Sequence, residues 1–377
     1  MSFRVSAPRT RGTLFLLSCL LASGLVAGGS AEAQDVRIGT TTPRNGPSKG
    51  IYHAAFNAEN GKLTQPELAA EIDSPGFLAL HPEGQVLYAT GTVDGVASVV
   101  AFRIRRSGDR AELERLNSQP TGDGGAAHLT TDRTGAVLLS AQYGGGSTAI
   151  YPLDEDGSIG ARSQLVKHEG GSGVVPGRQN KPHAHWVGTS PDNRFVFVPD
   201  LGLDRVLIYR LDVDAAGLTP HDAGVLPPGG GPRHMKFAPS GRFIYVLNEL
   251  ALSVTVFEYD ASQGRMTATQ TIPTVSEADK AKEQFVSASE IRVHPTGKYV
   301  YAANRGHDTI TAFRVEQASS KLSEIECEPI RGSWPRNFNI DPSGKWLLAA
   351  GRDSNTLAVF QIDSETGELT YARTMVM

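Results

Sequence analysis

Apolar and polar positions alternate along this chain in a phrase that returns six times. The copies begin at Phe77 (FLALHPEGQVLYATGTVDGVASVVAFRI), His128 (HLTTDRTGAVLLSAQYGGGSTAIYPL), His185 (HWVGTSPDNRFVFVPDLGLDRVLIYRL), His234 (HMKFAPSGRFIYVLNELALSVTVFEY), Glu290 (EIRVHPTGKYVYAANRGHDTITAFRV) and Asn337 (NFNIDPSGKWLLAAGRDSNTLAVFQI). Each reads as a strand, a Pro-x-Gly-type turn, an apolar strand, a polar loop and an alternating strand. Pro pre-sets φ in such a turn and Gly accepts the positive φ that follows, as at Pro239–Gly241, Pro295–Gly297 and Pro342–Gly344. Period-two alternation marks half-buried strands, and unbroken apolar runs mark strands covered on both faces. The runs Ile244–Leu247 and Tyr299–Ala303 are therefore predicted to be buried between blades. Val254-Val256-Glu258 and Thr309-Thr311-Phe313 alternate as outer strands do. Self-similarity at a period of roughly 50 residues marks a closed or stacked repeat protein. Because the repeat is β throughout, it predicts an all-β, seven-bladed β-propeller of four-stranded antiparallel blades.

The seventh blade comes from residues 36–57 (VRIGTTTPRNGPSKGIYHAAFN), which match the second half of a repeat. Its missing innermost strand is expected from the C-terminus, the usual latch of a propeller. The chain ends at Thr374–Met377, soon after the last outer strand, so that latch is expected to be short or absent. The longest inserts lie at about 154–182 and 260–288, and the second, through Ser276–Glu283, predicts one or two turns of surface helix. Inserts of this kind cap one face of a ring and shape the site over its channel.

Residues 1–33 are a different kind of sequence. Arg4, Arg9 and Arg11 precede an apolar run from Leu14 to Ala27 and an Ala31-Glu32-Ala33 site, the layout of a secretory signal peptide. The run is shorter than the roughly 20 apolar residues that span a bilayer. The expectation is a cleaved signal, an exported periplasmic or secreted domain over 34–377, and no membrane attachment afterwards. The segment carries three arginines and one glutamate, so its loss takes the net charge from −4 to −6. Neither value favours nucleic acid or an anionic membrane as partner. Cys19 leaves with the signal and Cys327 stays as the single cysteine, so no internal disulfide is expected. A closed ring with protected edges is expected to be a monomer.

Polar residues recur at equivalent points of the copies. His128, His183 with His185, Arg233 with His234, Glu290 and Arg336 sit at or just before the first strand. Glu249 (NEL) and Arg305 (NRG) share the loop after the second strand, and Arg178 precedes the histidine pair. First strands line a propeller's channel, so these side chains are expected to meet at one mouth. A packing role is open to each, above all to His128 and His234 beside Gly-rich loops. Tyr143–Gly146 precedes no helix and reads as a tight strand connection, not a phosphate cradle. Asp200 and Asp204 read as loop acids that satisfy turn amides. No metal-ligand spacing and no Gly-x-Ser-x-Gly elbow occur, so no metal, cofactor or serine-hydrolase chemistry is expected.

RQNKPHAH (Arg178–His185), VPDLGLDRV (Val198–Val206), GPRHMKFAPSGRFIYVLNEL (Gly231–Leu250), EIRVHPTGKYVYAANRGHDTI (Glu290–Ile310) and WPRNFNIDPSGKWLLAAG (Trp334–Gly351) resemble the seven-bladed propeller lactonase family. That family holds bacterial 6-phosphogluconolactonases and fungal carboxy-cis,cis-muconate lactonising enzymes. The resemblance implies a site built from His183 or His185, Arg233, Glu249 and Arg305. The chain departs from the family pattern at Ala89-Thr90-Gly91, where Asn-Glu is common, and at the closing strand. Lactone hydrolysis needs an activated water, which Glu249 or a histidine can supply as general base. It also needs an oxyanion stabiliser, a task suited to Arg233, and a hold on the sugar acid, open to Arg178, Arg305 and Arg336. The expected substrate is a small anionic or sugar lactone. The rival readings are a muconate-type cyclising enzyme and a non-catalytic exported binding platform.

Overall fold

The protein is described by a computed structural model covering residues 2–6, 34–42, 48–107 and 110–377. Seven antiparallel sheets follow one another along the chain. The second blade comprises Leu78–Leu80, Val86–Val93, Val96–Ser107 and Arg110–Pro120. The third comprises Ala126–Thr131, Val137–Gln142, Ser147–Pro152 and Gln164–Lys167, and the fourth Gly188–Thr189, Phe195–Asp200, Arg205–Asp212 and Gly217–Val225. Pro232–Phe237, Phe243–Asn248, Ser253–Asp260 and Arg265–Pro273 make the fifth. The sixth is Ser287–Val293, Tyr299–Arg305, Thr309–Val315 and Leu322–Pro329, and the seventh Pro335–Ile340, Trp346–Gly351, Thr356–Ile362 and Leu369–Val376. In each of these six the strands pair in chain order, and first strands of neighbouring blades contact one another around the axis, the fourth blade meeting the fifth through Phe195–Asp200.

The apolar second strands are buried along their whole length in the fifth, sixth and seventh blades, as their unbroken pattern predicts. Val254, Val256 and Thr311 are also fully buried, which corrects the outer-strand expectation for their segments. A fourth strand (Arg265–Pro273, Leu322–Pro329) covers them and takes the exposed edge. Among the described residues, buried apolar side chains form seven clusters, each spanning the contact between two neighbouring blades. The predicted helical insert is one turn, Glu277–Lys280, capped by the Ser276 side chain accepting from Asp279 N–H.

The first blade comprises Gln34–Gly39, Gly50–Asn57, Lys62–Leu63 and Glu67–Glu71. Its innermost strand is Ser2–Ser6, paired with Gln34–Gly39 from Ser2↔Gly39 to Ser6↔Asp35. The expectation of a C-terminal latch is thereby corrected. Leu369–Val376 pairs along Thr356–Ile362 and is used up as the outer strand of the seventh blade. The remainder of the segment read as a signal peptide, residues 7–33, lies outside the described residues.

Among the described residues no strand is shared across the junction of first and seventh blades, and side chains close the ring. Val36, Ile38 and Phe56 pack against Trp346, Leu348, Leu357 and Val359. Trp346 meets Phe56 edge-on at 6.3 Å, and its indole N–H donates to Ala58 O at 2.7 Å. Gly61 lets the indole lie flat on the neighbouring turn. It adopts φ of +69°, and a Cβ there would stand 2.7 Å from the Trp346 ring. Trp346→Ala should destabilise the protein by about 3–5 kcal/mol, the usual cost of emptying a large buried aromatic site. Urea unfolding checks this, and an unchanged midpoint would show that the junction does not rest on Trp346.

Candidate active site at the channel mouth

Two register positions, repeated from blade to blade, build the site. The first is a β-bulge where the innermost strand begins. Pairing skips one residue between Ala126 and His128, between Pro232 and His234, and between Pro335 and Asn337. The skipped residues are Ala127, Arg233 and Arg336. A bulge inserts one residue into a strand and re-aims its side chain, a device common beside active sites. The second position lies at the end of the second strand, where Tyr143, Glu249 and Arg305 fall on equivalent places. Ala127, Tyr143, Arg178, His185, Glu249, Arg305 and Arg336, with Phe285, Ser287 and Trp334, line one cavity of about 350 Å³.

Glu249 is the centre of this arrangement. Its Oε1 accepts from Arg178 Nη2 at 2.7 Å, and its Oε2 accepts from Arg233 Nε at 2.9 Å and lies 3.2 Å from Arg305 Nη2. Burial alone would raise its pKa, but Arg305, Arg233 and Arg178 outweigh that and hold it down at about 2. Arg305 also donates to Ala288 O at 2.8 Å, and Arg233 donates to Ser289 O. Arg336 lacks a direct hydrogen bond or ion pair among the described residues. Burial and the neighbouring Arg305 lower its pKa to about 10, with Glu249 pulling the other way. Three guanidinium groups thus share one carboxylate with Arg336 close by, and the cavity, lined by Arg178, Arg305 and Arg336 against Glu249, carries a surplus of positive charge.

His185 stands on the same wall. Its Nε2 is 3.9 Å from Glu249 Oε2, too far for a direct hydrogen bond. Burial, then Arg233, His234 and Arg336, push its pKa well below the usual imidazole range, so it is neutral at pH 7. Glu249, ionised and tied by three guanidinium groups, is a poor proton acceptor. His185 is neutral and has a ring lone pair to offer. The burial and cations that lower its pKa also oppose its protonation, and the Glu249 carboxylate 3.9 Å away is the adjacent group that can favour an imidazolium.

Two residues expected at the site stand off the cavity wall. His183 Nδ1 donates to Tyr143 O at 2.8 Å, its backbone N–H donates to Asp200 Oδ1, and its ring stacks on Tyr143 at 4.4 Å. It fixes the tyrosine in place. Arg233 lies behind Glu249, with Nε and Nη1 already engaged, which leaves it a positioning role instead of oxyanion contact. Deeper in the channel His234 Nδ1 faces Glu290 Oε1 at 3.2 Å, and Asn337 Nδ2 donates to Glu290 Oε2 at 2.5 Å. His128 packs against Phe77, Trp186 and His234. Asp200 and Asp204 do satisfy loop amides, at His183, Gly202 and Leu203, and at Gly229 and Gly231.

Tyr143, Ser287, Phe285 and Trp334 line the cavity in addition to the residues expected from the sequence. Tyr143 was open to discovery, because it holds the same register place as Glu249 and Arg305. A larger groove of about 600 Å³ lies between the first and second blades, but its charged residues Lys49, Glu71, Asp73, Asp94 and Arg115 are exposed. No group of three His, Cys, Asp or Glu side chains among the described residues is placed to hold a metal ion.

Residues 35–377 match the family model described as lactonase, 7-bladed beta-propeller. The 6-phosphogluconolactonase of Bacillus subtilis (strain 168) is 34% identical over 333 residues, 88% of this chain and 92% of its own length. A 6-phosphogluconolactonase of Formosa agariphila is 33% identical over 314 residues, covering 81% and 85%. Among solved structures, the periplasmic gluconolactonase of Pseudomonas aeruginosa superposes with a TM-score of 0.84 at 29% identity, covering 92% of this chain and 96% of that one.

The depressed groups of the channel set the pH dependence of stability. Unfolded, His185 and His234 titrate near 6.5 and Glu249 and Glu290 near 4.5, whereas the folded values all lie lower. Below those values the unfolded chain binds more protons, so acid favours unfolding. Melting temperature should fall as pH drops below 6.5 and more steeply below 4.5. Calorimetry between pH 8 and 3 checks this, and a flat profile from pH 7 to 4 would contradict the assigned charge states.

Proposed function

The chain belongs to the seven-bladed β-propeller lactonase family, and we propose that it hydrolyses a sugar-acid lactone in the Glu249–His185–Arg336 cavity. The observation that carries this reading is one neutral imidazole beside a cavity with excess guanidinium charge. A lactone carbonyl placed there meets both needs of ester hydrolysis, a proton acceptor for water and donors for the oxyanion. His185 Nε2 takes a proton as the water oxygen bonds to the carbonyl carbon. The imidazolium so formed lies beside the Glu249 carboxylate. Negative charge developing on the carbonyl oxygen is met by Arg305 or Arg336. Collapse breaks the ring C–O bond, and His185 returns the proton to the leaving hydroxyl. The product carboxyl then ionises in solution.

Arg336 and Arg178 are suited to an anionic substituent on the sugar, since a guanidinium holds phosphate or carboxylate through two parallel bonds. The 6-phosphogluconolactonases related to this chain supply the precedent for such a substrate. We further propose export of the mature domain; cleavage after Ala33 would remove the Ser2–Ser6 strand and leave Gln34–Gly39 as the inner edge of the first blade. The basic, apolar and Ala-x-Ala order of residues 1–33 supports export, as does likeness to a gluconolactonase described as periplasmic. An exported enzyme would meet the unphosphorylated lactone more readily than the phosphorylated one.

Assay of the purified protein with δ-gluconolactone, its 6-phosphate and a carboxymuconate separates hydrolysis from cyclisation. Hydrolysis of a sugar lactone is expected. His185→Ala should lower kcat by about 10²–10⁴-fold, the usual contribution of a general base. Wild-type turnover in His185→Ala would exclude this histidine as the base. Saturable binding of a protein or glycan, with no turnover of any of the three, would favour a binding platform.

A further inference from the structure

One wall of the cavity is aromatic, and it is built at a cost. Trp334 adopts φ of +60°, the left-handed region that a bulky side chain rarely enters. Its conformation is held from both sides. The Trp334 N–H donates to Asp308 Oδ1 at 2.8 Å, and Trp334 O accepts from Arg352 N–H at 3.0 Å. Strain of this kind persists only where surroundings impose it, and it gathers at ligand-binding sites. The indole N–H has no acceptor among the described residues.

Phe285 completes the wall. It stacks on Trp334 with ring centres 5.7 Å apart and an interplanar angle of 19°. It nevertheless leaves 54% of its surface in solvent, whereas a phenylalanine needed only for packing would be covered. Arg305 and Arg352 lie 5.6 and 5.0 Å from the Trp334 ring centre. The same guanidinium of Arg305 thus borders both the aromatic wall and Glu249. A ligand that fits has a flat, C–H-bearing ring face beside a polar, charge-seeking edge.

Resting on the lactonase reading, we infer that Trp334 and Phe285 select the closed lactone ring over its open-chain product. A lactone is flattened around its ester group and can lay one continuous face on the outer side of the stacked pair, where Phe285 is exposed. The hydrolysed acid is a flexible chain with no such face, though it keeps every group the arginines can hold. The wall therefore contributes affinity for the substrate and none for the product, which leaves through the open mouth once the ring C–O bond is broken.

Steady-state kinetics on Phe285→Ala, Trp334→Leu and Trp334→Phe test this, with δ-gluconolactone as substrate and gluconate as product inhibitor. Phe285 is exposed, so its loss should not disturb folding. Phe285→Ala and Trp334→Leu should raise the lactone KM about tenfold, a typical effect of losing an aromatic contact. Trp334→Phe, which keeps a ring face but lacks the indole N–H, should raise the lactone KM less than Trp334→Leu does, and the inhibition constant of gluconate should be unmoved in all three. An unchanged lactone KM, or a gluconate constant that rises in step with it, overturns the inference. Calorimetric binding of gluconolactam, whose ring N–H replaces the ester oxygen, separates this claim from the catalytic one. Wild-type protein that binds the lactam but turns over no lactone loses the lactonase reading alone, provided that Phe285→Ala and Trp334→Leu bind it more weakly. Wild-type protein that does not bind the lactam overturns both.

Discussion

The buried carboxylate of Glu249 is what allows four guanidinium groups to stand together at the mouth of this ring. Arg178, Arg233 and Arg305 reach it directly, and Arg336 feels it through space. Away from bulk water, repulsion between such cations is strong, and a buried charge is tolerated only when paired and hydrogen-bonded. Removing one partner of a buried ion pair commonly costs about 3–5 kcal/mol. Substitution of Glu249 therefore disturbs folding as well as chemistry, and loss of activity there would not by itself mark a catalytic group. The same pairing makes Glu249 a weak base, which is why the proton-transfer role is proposed for His185.

The ring itself was largely legible from the chain, because each copy carries the same alternation, turn and apolar run. The site was legible only by register. Glu249 and Arg305 were found as residues at one repeated position, and Tyr143 at that same position was passed over as part of a Gly-rich turn. Arg233 and Arg336 share a bulge, a feature that depends on how two strands pair and has no composition of its own. Pattern alone could not tell that one bulged arginine faces the cavity while the other lies behind the carboxylate. Nor could it divide His183 from His185, which differ only in whether the side chain meets Tyr143 O or the cavity.

Ring closure shows the same limit from another side. The pattern located an incomplete blade at residues 36–57 but assigned its missing strand to the wrong end of the chain. Pairing is a long-range choice, and Leu369–Val376 is already committed to Thr356–Ile362. What joins first and seventh blades is an apolar seam of the kind found at every other junction, fastened by Trp346. The channel residues of the seventh blade, Arg336 among them, keep their place relative to the fifth and sixth because that seam holds.

The proposed function rests on surplus charge, one neutral imidazole and an aromatic wall in a cavity that no single blade could make. The most direct test of that account is a crystal structure of the protein with gluconolactam bound. The lactam ring should lie against Trp334 and Phe285, with its carbonyl oxygen within hydrogen-bond distance of Arg305 or Arg336 and its carbonyl carbon open to a water held by His185. A lactam seated instead in the groove between the first and second blades, with the Glu249 cavity empty, would contradict it.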